Sequence, residues 1–482
     1  MKTFKKALCF VLTISLLAFL SISASAVEAT TTPMVAGGGW HTIALRADGF
    51  VFAWGANVTG QVGDGSLERR DTPVKALAPG GIIAVAAGSK HSLALRNNGA
   101  VWAWGINDHG QLGIASQENR STSTRVALLN ENVIAIATNH FHSAALKNDG
   151  SVWTWGGNDR GQLGDGTRDA SNVPKQVPGL SNITAIAAGY EFTLALDADG
   201  KVWAWGDNAY GQLGVGTTTN HLSPVQVMTL SNVTEIQAGS TFAMALLSDG
   251  TVWTWGENYF HQLGNDTSDR RSLPGQVQGI SDVKAISAGG FHVLVLKNDA
   301  TVWAWGRNSF GQLGDGTTTQ RFAPAQVQEL SNVASISAGG HHSFAVKSDN
   351  SVWAWGNNLD GQLGDGTTSW RSLPVQTLGP DGIGLISLGT GNPHGEDAAV
   401  TLQRKESMYF NLLPGSTSQV KWSSSNDRVV SVEENGKVTP LRRGTAKITA
   451  TNGSDSTSIT IKVNYTWWQW IVFILFFGWI WY

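Results

Sequence analysis

The sequence is almost without cysteine, with a single one, Cys9, in 482 residues. Cys9 falls within the first 26 residues, which read as an export signal, so the expected mature chain has no disulfide and no thiolate metal site. Charge is also scarce, at 14% of residues. Disorder does not follow from that, because aliphatic and aromatic residues are plentiful. No P-loop, HExxH or GxSxG phrase occurs, so phosphate-cradle, zincin and nucleophile-elbow chemistry have no motif to carry them. Acids are present, but no spacing pairs two of them across a cleft. The sequence predicts no catalytic residue, no cofactor and no metal ligand.

Two residue types are abundant: 57 Gly and 21 Trp. The chain begins with Lys2, Lys5 and Lys6, then an apolar stretch, then Ala24-Ser25-Ala26, the order of a cleavable signal over 1–26. The remaining charge divides unevenly. Residues 27–400 hold 21 basic and 31 acidic side chains (−10), and residues 401–482 hold 9 and 5 (+4). An acidic main body lacks the cationic footprint that nucleic-acid binding needs.

The tryptophans are periodic. Trp54, Trp104, Trp155, Trp205, Trp255, Trp305 and Trp355 are separated by 50, 51, 50, 50, 50 and 50 residues. A period of that length fits propeller blades of four short strands, not helical hairpins. In the fourth copy the strands are expected at Ile183–Ala187, Phe192–Leu196, Lys201–Trp205 and Pro224–Val227, with Asp199-Gly200 as a two-residue hairpin turn. Trp303 and Trp305, at i and i+2, share one face of a strand, and each buries roughly 200 Å². Such pairs take thirteen of the 21 Trp as filler between blades. The Asp of the GQLGDGT phrase is replaced by Ile114, Val215 and Asn265, so the phrase reads as turn chemistry and not as a calcium loop. His41, His91, His142, His292 and His342 occupy one repeat position, but Phe192 and Phe242 fill it in two copies. A framework role is expected, with the imidazole bonding backbone inside its own blade.

The phrase AGxxHxxAL…DGxVWxWGxNxxGQLGDGT resembles the regulator of chromosome condensation repeat. The resemblance covers residues 34–400 and implies an all-β, seven-bladed propeller. Residues 383–402 look like a degraded half-copy expected to complete a blade with the first strands. The WSSS, NGKVT and GTAKITA phrases over 401–464 resemble a bacterial immunoglobulin-like domain of group 2, implying a β-sandwich whose opening strands look short. WWQWIVFILFFGWIWY, within 465–482, carries no charge and has aromatic residues at both ends, as a C-terminal hydrophobic helix anchored in a membrane would.

Function should lie where the copies differ. The pair after each Ala-Gly supplies Trp40, Lys90, His140, Phe141, Tyr190, Glu191, Phe291 and His341. The loop after each Trp-Gly supplies Tyr210, Tyr259, Phe260, Arg307 and Phe310. Aromatics mixed with both charges have the composition of interface anchors. The expected protein is exported, a monomeric propeller anchored by residues 467–482 outside a bacterial cell. It binds a protein or glycan at the envelope and no nucleic acid. Inhibition of a beta-lactamase-type or penicillin-binding enzyme, and an envelope hydrolase or lyase, are the alternatives.

Overall fold

The computed structural model describes residues 31–129, 131–380, Ile386 and most of 399–464, excepting 404–407, 410–420, 434–436, 443 and 453–454. The expected export signal at 1–26 and the anchor at 465–482 lie outside the described residues. Among the described residues no helix is long and apolar enough to cross a membrane.

Seven antiparallel sheets of four strands follow one another in chain order, each made of consecutive strands. Blade one comprises Met34–Gly37, His41–Leu45, Val51–Gly55 and Arg70–Lys75, and blade seven comprises Val333–Ala338, His342–Lys347, Val352–Gly356 and Arg371–Gln376. The second strand of each blade is buried on both faces, as at His91–Leu95, so it carries apolar residues at nearly every position. The fourth strand is the outer edge, where Pro224 and its counterparts need no ladder partner for the missing N–H. The hairpin of blade four differs from the two-residue turn expected. Asp197 N–H donates to the Lys201 carbonyl at 3.0 Å, leaving three residues, 198–200, in the loop. Gly200 takes φ +74°, the left-handed position that ends a three-residue hairpin.

The blades are joined by one carbonyl per seam. Trp104 Nε1 in blade two donates to the backbone carbonyl of Gln61 in blade one at 2.9 Å. The same bond recurs from Trp155 to Gln111, Trp205 to Gln162, Trp255 to Gln212, Trp305 to Gln262 and Trp355 to Gln312, all at 2.9–3.0 Å. Trp54 to Gln362, at 2.8 Å, closes the ring. All seven indoles are fully buried. The preceding tryptophan of each pair, such as Trp253 or Trp303, is half-buried in the same seam, as the two-residue spacing requires. A Cβ on Gly314, whose φ is +68°, would lie 2.8 Å from Trp355 Nε1, so only glycine lets the loop approach the indole.

Five seams add a hydroxyl relay, which corrects the histidine expectation. The His142 ring meets Thr193 Oγ1 at 2.9 Å, and that hydroxyl donates to the Gln162 carbonyl at 2.9 Å. The hydroxyl proton is committed to the carbonyl, so Nε2–H must donate to the hydroxyl oxygen. His41–Ser92, His91–Ser143, His292–Ser343 and His342–Thr42 repeat the pairing. The imidazole therefore bonds the next blade, not its own. At the other two seams Phe192 and Phe242 face Ala243 and Val293 at the hydroxyl positions, so donor and acceptor are lost together. The asparagine after each Trp-Gly shapes its own loop. Asn308 Oδ1 accepts the Leu313 N–H at 2.9 Å, while Nδ2 donates to the Thr317 and Thr319 carbonyls. Asp315 fixes the following turn through Thr317 and Arg321. Burial alone would raise its carboxyl, but those hydrogen bonds outweigh it and hold the group low.

Ring closure also differs from the expectation placed on 383–402. Blade one owns all four of its strands, and its inner strand packs directly on blade seven. Ala399–Gln403 instead pairs in parallel with Asp455–Asn464 in the C-terminal unit. Of residues 381–398 only Ile386 is described, and it is buried against Val35, Trp54 and Phe344 at the closing seam. The C-terminal unit has a sheet of four strands and a sheet of three, so seven strands form although Met408–Tyr409 is two residues long.

Two outcomes follow for stability. His142→Phe and Thr193→Ala should each destabilise, because each strands a polar partner, whereas the double variant copies the Phe192–Ala243 seam. Urea unfolding should show a favourable coupling of about 1–3 kcal/mol between them. The second concerns acid. Burial, with the neighbouring imidazoles, lowers His91 to about 3, and burial lowers His41 and His292 to about 3 and His142 to about 4. The unfolded chain binds these protons near pH 6.5 and the native ring refuses them. Stability is therefore complete above pH 6.5 and falls as pH drops toward 4. Potentiometric or calorimetric unfolding at pH 5 should show uptake of several protons, about one fewer in the His142→Phe, Thr193→Ala double variant.

Candidate protein-binding face

The turns between first and second strands form a belt at one end of the ring. Gly39 N–H donates to Gly88 O, Ser89 to Asn139, Tyr190 to Ser240, Ser240 to Gly290, Gly290 to Gly339 and Gly340 to Gly38, all at 2.8–3.1 Å. Asn139 Nδ2 spans the remaining step to Ala188 O at 3.1 Å. Six of the seven turns are tied to the next through backbone and one through Asn139, so most turn side chains can vary without disturbing the frame. The belt surrounds the mouth of a central channel of about 750 Å³ lined by the inner strands. Trp40, His140, Tyr190, Phe291 and His341 line that mouth.

Both variable sets meet on this face, in two clusters. In the first, the His140 ring lies 3.8 Å from Phe141 and 4.3 Å from Tyr190 between centroids, and His109 lies 4.5 Å from Phe141. In the second, Tyr259, Phe260, Phe291, His341 and Trp40 form a chain of rings at 4.9–6.2 Å, edge-to-face except for the stacked Phe291–His341 pair, and Phe310 joins at His341. The Arg307 guanidinium stands 4.7 Å above Phe260, with Phe291 and Phe310 within 6.0 Å, a cation held on aromatic faces. These rings project from strand ends where the repeat needs no particular side chain, and they remain partly accessible. Tyr259 is 71% exposed and touches Phe260 alone among aromatic rings.

Between the clusters lies a smaller pocket of about 350 Å³, lined by Arg160, Tyr190, Glu191, Asp207 and Tyr210 among others. Arg160 Nε is 3.6 Å from the Glu191 carboxylate. Burial raises Glu191, Arg160 opposes the rise, and Asp207 and Asp159 add to it. Burial, then Glu191, raises the Tyr190 phenol. Asp207 accepts from Gln212 Nε2 at 2.7 Å, and Thr241 donates to Glu257 at the pocket's far side. Lys90 makes no ring contact, but its charge joins burial in lowering His140 to about 4, with His109 adding to the effect. Burial, then Arg307, lowers His341 to about 4. Both imidazoles are neutral at physiological pH. The face therefore offers large flat rings, two neutral imidazoles and isolated charges of both signs.

One residue of this region lies outside the sequence-derived sets. Glu235, on the inner strand Val233–Ala238, is the only charged side chain lining the channel among the described residues. Its counterparts are Met34, Ala84, Ala135, Ala185, Ala285 and Ser335. A lone acid among uncharged residues in one register was the available signal, but it sits in a strand interior and not in a variable turn. Among the described residues no group of three His, Cys, Asp or Glu side chains is arranged to hold a metal ion.

Comparison with known proteins agrees with this architecture. Residues 124–401 match the RCC1-like domain model, 48–95 and 98–146 match the regulator of chromosome condensation (RCC1) repeat, and 399–463 match the bacterial Ig-like domain (group 2). The E3 ubiquitin-protein ligase HERC2 of Homo sapiens is 34% identical over 143 residues, which is 29% of this chain, and its counterpart in Mus musculus matches equally. The aligned stretch spans only 3% of the length of those relatives. Among solved structures, Prp20p from Saccharomyces cerevisiae, reported with its binding to Gsp1p and histones, superposes with a TM-score of 0.63 at 26% identity, covering 70% of this chain and 87% of its own. Human WBSCR16 gives 0.60 at 24% identity over 65% and 86%, a likeness of fold alone. The repeat matches cover most of the ring whose blades and seams are described above, and the chain belongs to the RCC1-like family.

Proposed function

We propose that the mouth face binds a protein, and that the chain presents this face outside a bacterial cell. The observation that carries the reading is the pair of aromatic clusters, one of them capped by Arg307, standing on a rigid backbone belt. Rigid aromatic anchors lose little side-chain entropy on docking and dominate interface energies. The bacterial immunoglobulin-like unit supports a surface location, where such units act as spacers. The reading extends to tethering through residues 467–482, which lie outside the described residues. RCC1-like propellers are a protein-interaction fold, and Prp20p was reported with protein ligands, which makes a protein the favoured partner over a glycan.

The test is affinity capture from bacterial envelope extracts with the whole chain. Trp40, Phe141, Tyr190 and Phe291 are changed together to Ala in the comparison chain. None of the four side chains makes a seam hydrogen bond, so the melting temperature should stay within a few degrees while specific partners are lost. Anchor residues cost roughly 2 kcal/mol or more each when truncated, so retention should fall at least a hundredfold. An identical set of retained proteins would overturn the reading.

A further inference from the structure

The channel wall is built from residues that need nothing from a ligand, with one exception. Inner-strand positions facing the channel are Ala, Ser, Gly or Thr in most blades, as at Ala86, Ala137, Ser287 and Ser337. Blade five places Glu235 and Gln237 there instead. Glu235 Oε1 accepts from Gln237 Nε2 at 3.2 Å, and Oε2 accepts the Ile286 N–H of blade six at 3.2 Å. The charge is not required for that junction. At the next two junctions a serine hydroxyl accepts the neighbouring backbone N–H, Ser287 from Ala338 at 2.9 Å and Ser337 from Gly37 at 3.1 Å. A neutral acceptor serves there, so the charge of Glu235 is in excess of what holds the ring together.

Among the described residues that charge has no counter-ion in the channel. No described Lys or Arg lines the cavity, and the two histidines at the mouth, His140 and His341, are neutral at physiological pH. Burial pushes the carboxyl up, although its two hydrogen bonds oppose the shift. A buried carboxylate without a cation is costly, and the cost falls when a cation arrives. Glu235 lies on the channel wall four residues before the mouth turn at Gly239, so a group entering from the mouth end passes Trp40, Tyr190 and Phe291, whose ring faces attract ammonium and guanidinium groups, before it reaches the carboxylate. The cavity of about 750 Å³ is far larger than one side chain, and its polar lining of Ser335, Ser337, Ser287, Thr138 and Gln237 can hydrogen-bond what enters.

We infer that the central channel receives a basic side chain, a lysine or arginine from a protein partner, that passes the aromatic mouth and pairs with Glu235. This deepens the protein-binding reading by naming the partner's anchoring chemistry, and it rests on that reading. The partner is expected to present a Lys or Arg on a projecting loop narrow enough to enter the ring, while its surrounding surface lies on the two aromatic clusters.

The test uses the whole chain and three short blocked peptides, Gly-Arg-Gly, Gly-Lys-Gly and Gly-norleucine-Gly, with binding read by calorimetry or ligand-observed NMR. The wild-type chain should bind the two basic peptides more tightly than the norleucine peptide. Glu235→Gln keeps an acceptor for the Ile286 N–H and removes the charge. It should weaken the basic peptides at least about tenfold, leave norleucine binding unchanged and leave the melting temperature unchanged. Calcium and magnesium salts alone form a further arm, and displacement of the basic peptides by millimolar metal with no effect of peptide charge would overturn the proposal. Equal binding of all three peptides to the wild type would also overturn it, a comparison that holds even where Glu235→Gln impairs folding. Capture of envelope proteins separates the two readings. If Glu235→Gln retains every partner that the four-alanine variant loses, the channel inference falls while the mouth-face reading stands.

Discussion

The ring depends on one backbone carbonyl per blade. The carbonyl of each Gln in the Gly-Gln-Leu phrase points across the seam and receives the buried indole N–H of the next blade, and in five seams a hydroxyl as well. An indole N–H buried without an acceptor would cost one to several kcal/mol, so the bulk of the tryptophan and the position of the loop carbonyl must be specified together. The asparagine after each Trp-Gly fixes the loop that carries the carbonyl, and glycine such as Gly314 lets it reach the ring. The repeated phrase therefore works as one device that joins neighbouring blades.

Scaffold and face are separated by that same device. Seam bonds and the belt of turn-to-turn hydrogen bonds use backbone, tryptophan, asparagine and small polar residues. The side chain of the last residue of each belt turn takes part in no belt hydrogen bond, and there the seven blades diverge into Trp40, Lys90, Phe141, Glu191, Thr241, Phe291 and His341. The divergence is not uniform around the ring. Blades two to four carry the histidine-tyrosine cluster, blades five to seven and one carry the arginine-capped cluster, and blade five alone sends a carboxylate into the channel. A ring with sevenfold construction thus presents an asymmetric surface, which one particular partner can engage in one orientation.

Much of this was legible from spacing. The fifty-residue interval between tryptophans, the i, i+2 pair and the Asp-Gly turns lead to blades without any structure. The histidine partners were also in the text: where His gives way to Phe192 and Phe242, the hydroxyl fifty-one residues onward gives way to Ala243 and Val293. That pairing is invisible within one repeat because its members sit in adjacent copies, and only the ring brings them into contact. The closing segment misled for a related reason. Among the described residues, blade one already holds four strands, the closing seam carries the Trp54–Gln362 bond and a buried Ile386, and Ala399–Gln403 pairs beside Asp455–Asn464. Glu235 escaped because loops draw attention in a search for function, whereas channel walls belong to strands.

The central claim is that all seven seams, including the one joining the ends of the ring, are held by the same buried indole bond. Hydrogen exchange of the tryptophan indole protons tests it directly, read by NMR on selectively labelled protein. The account predicts that the Trp54 proton exchanges as slowly as those of Trp205 and Trp305, all limited by global opening. Exchange at Trp54 faster by orders of magnitude, with the other six protected, would show that the ring is not latched at its closing seam and would contradict the account.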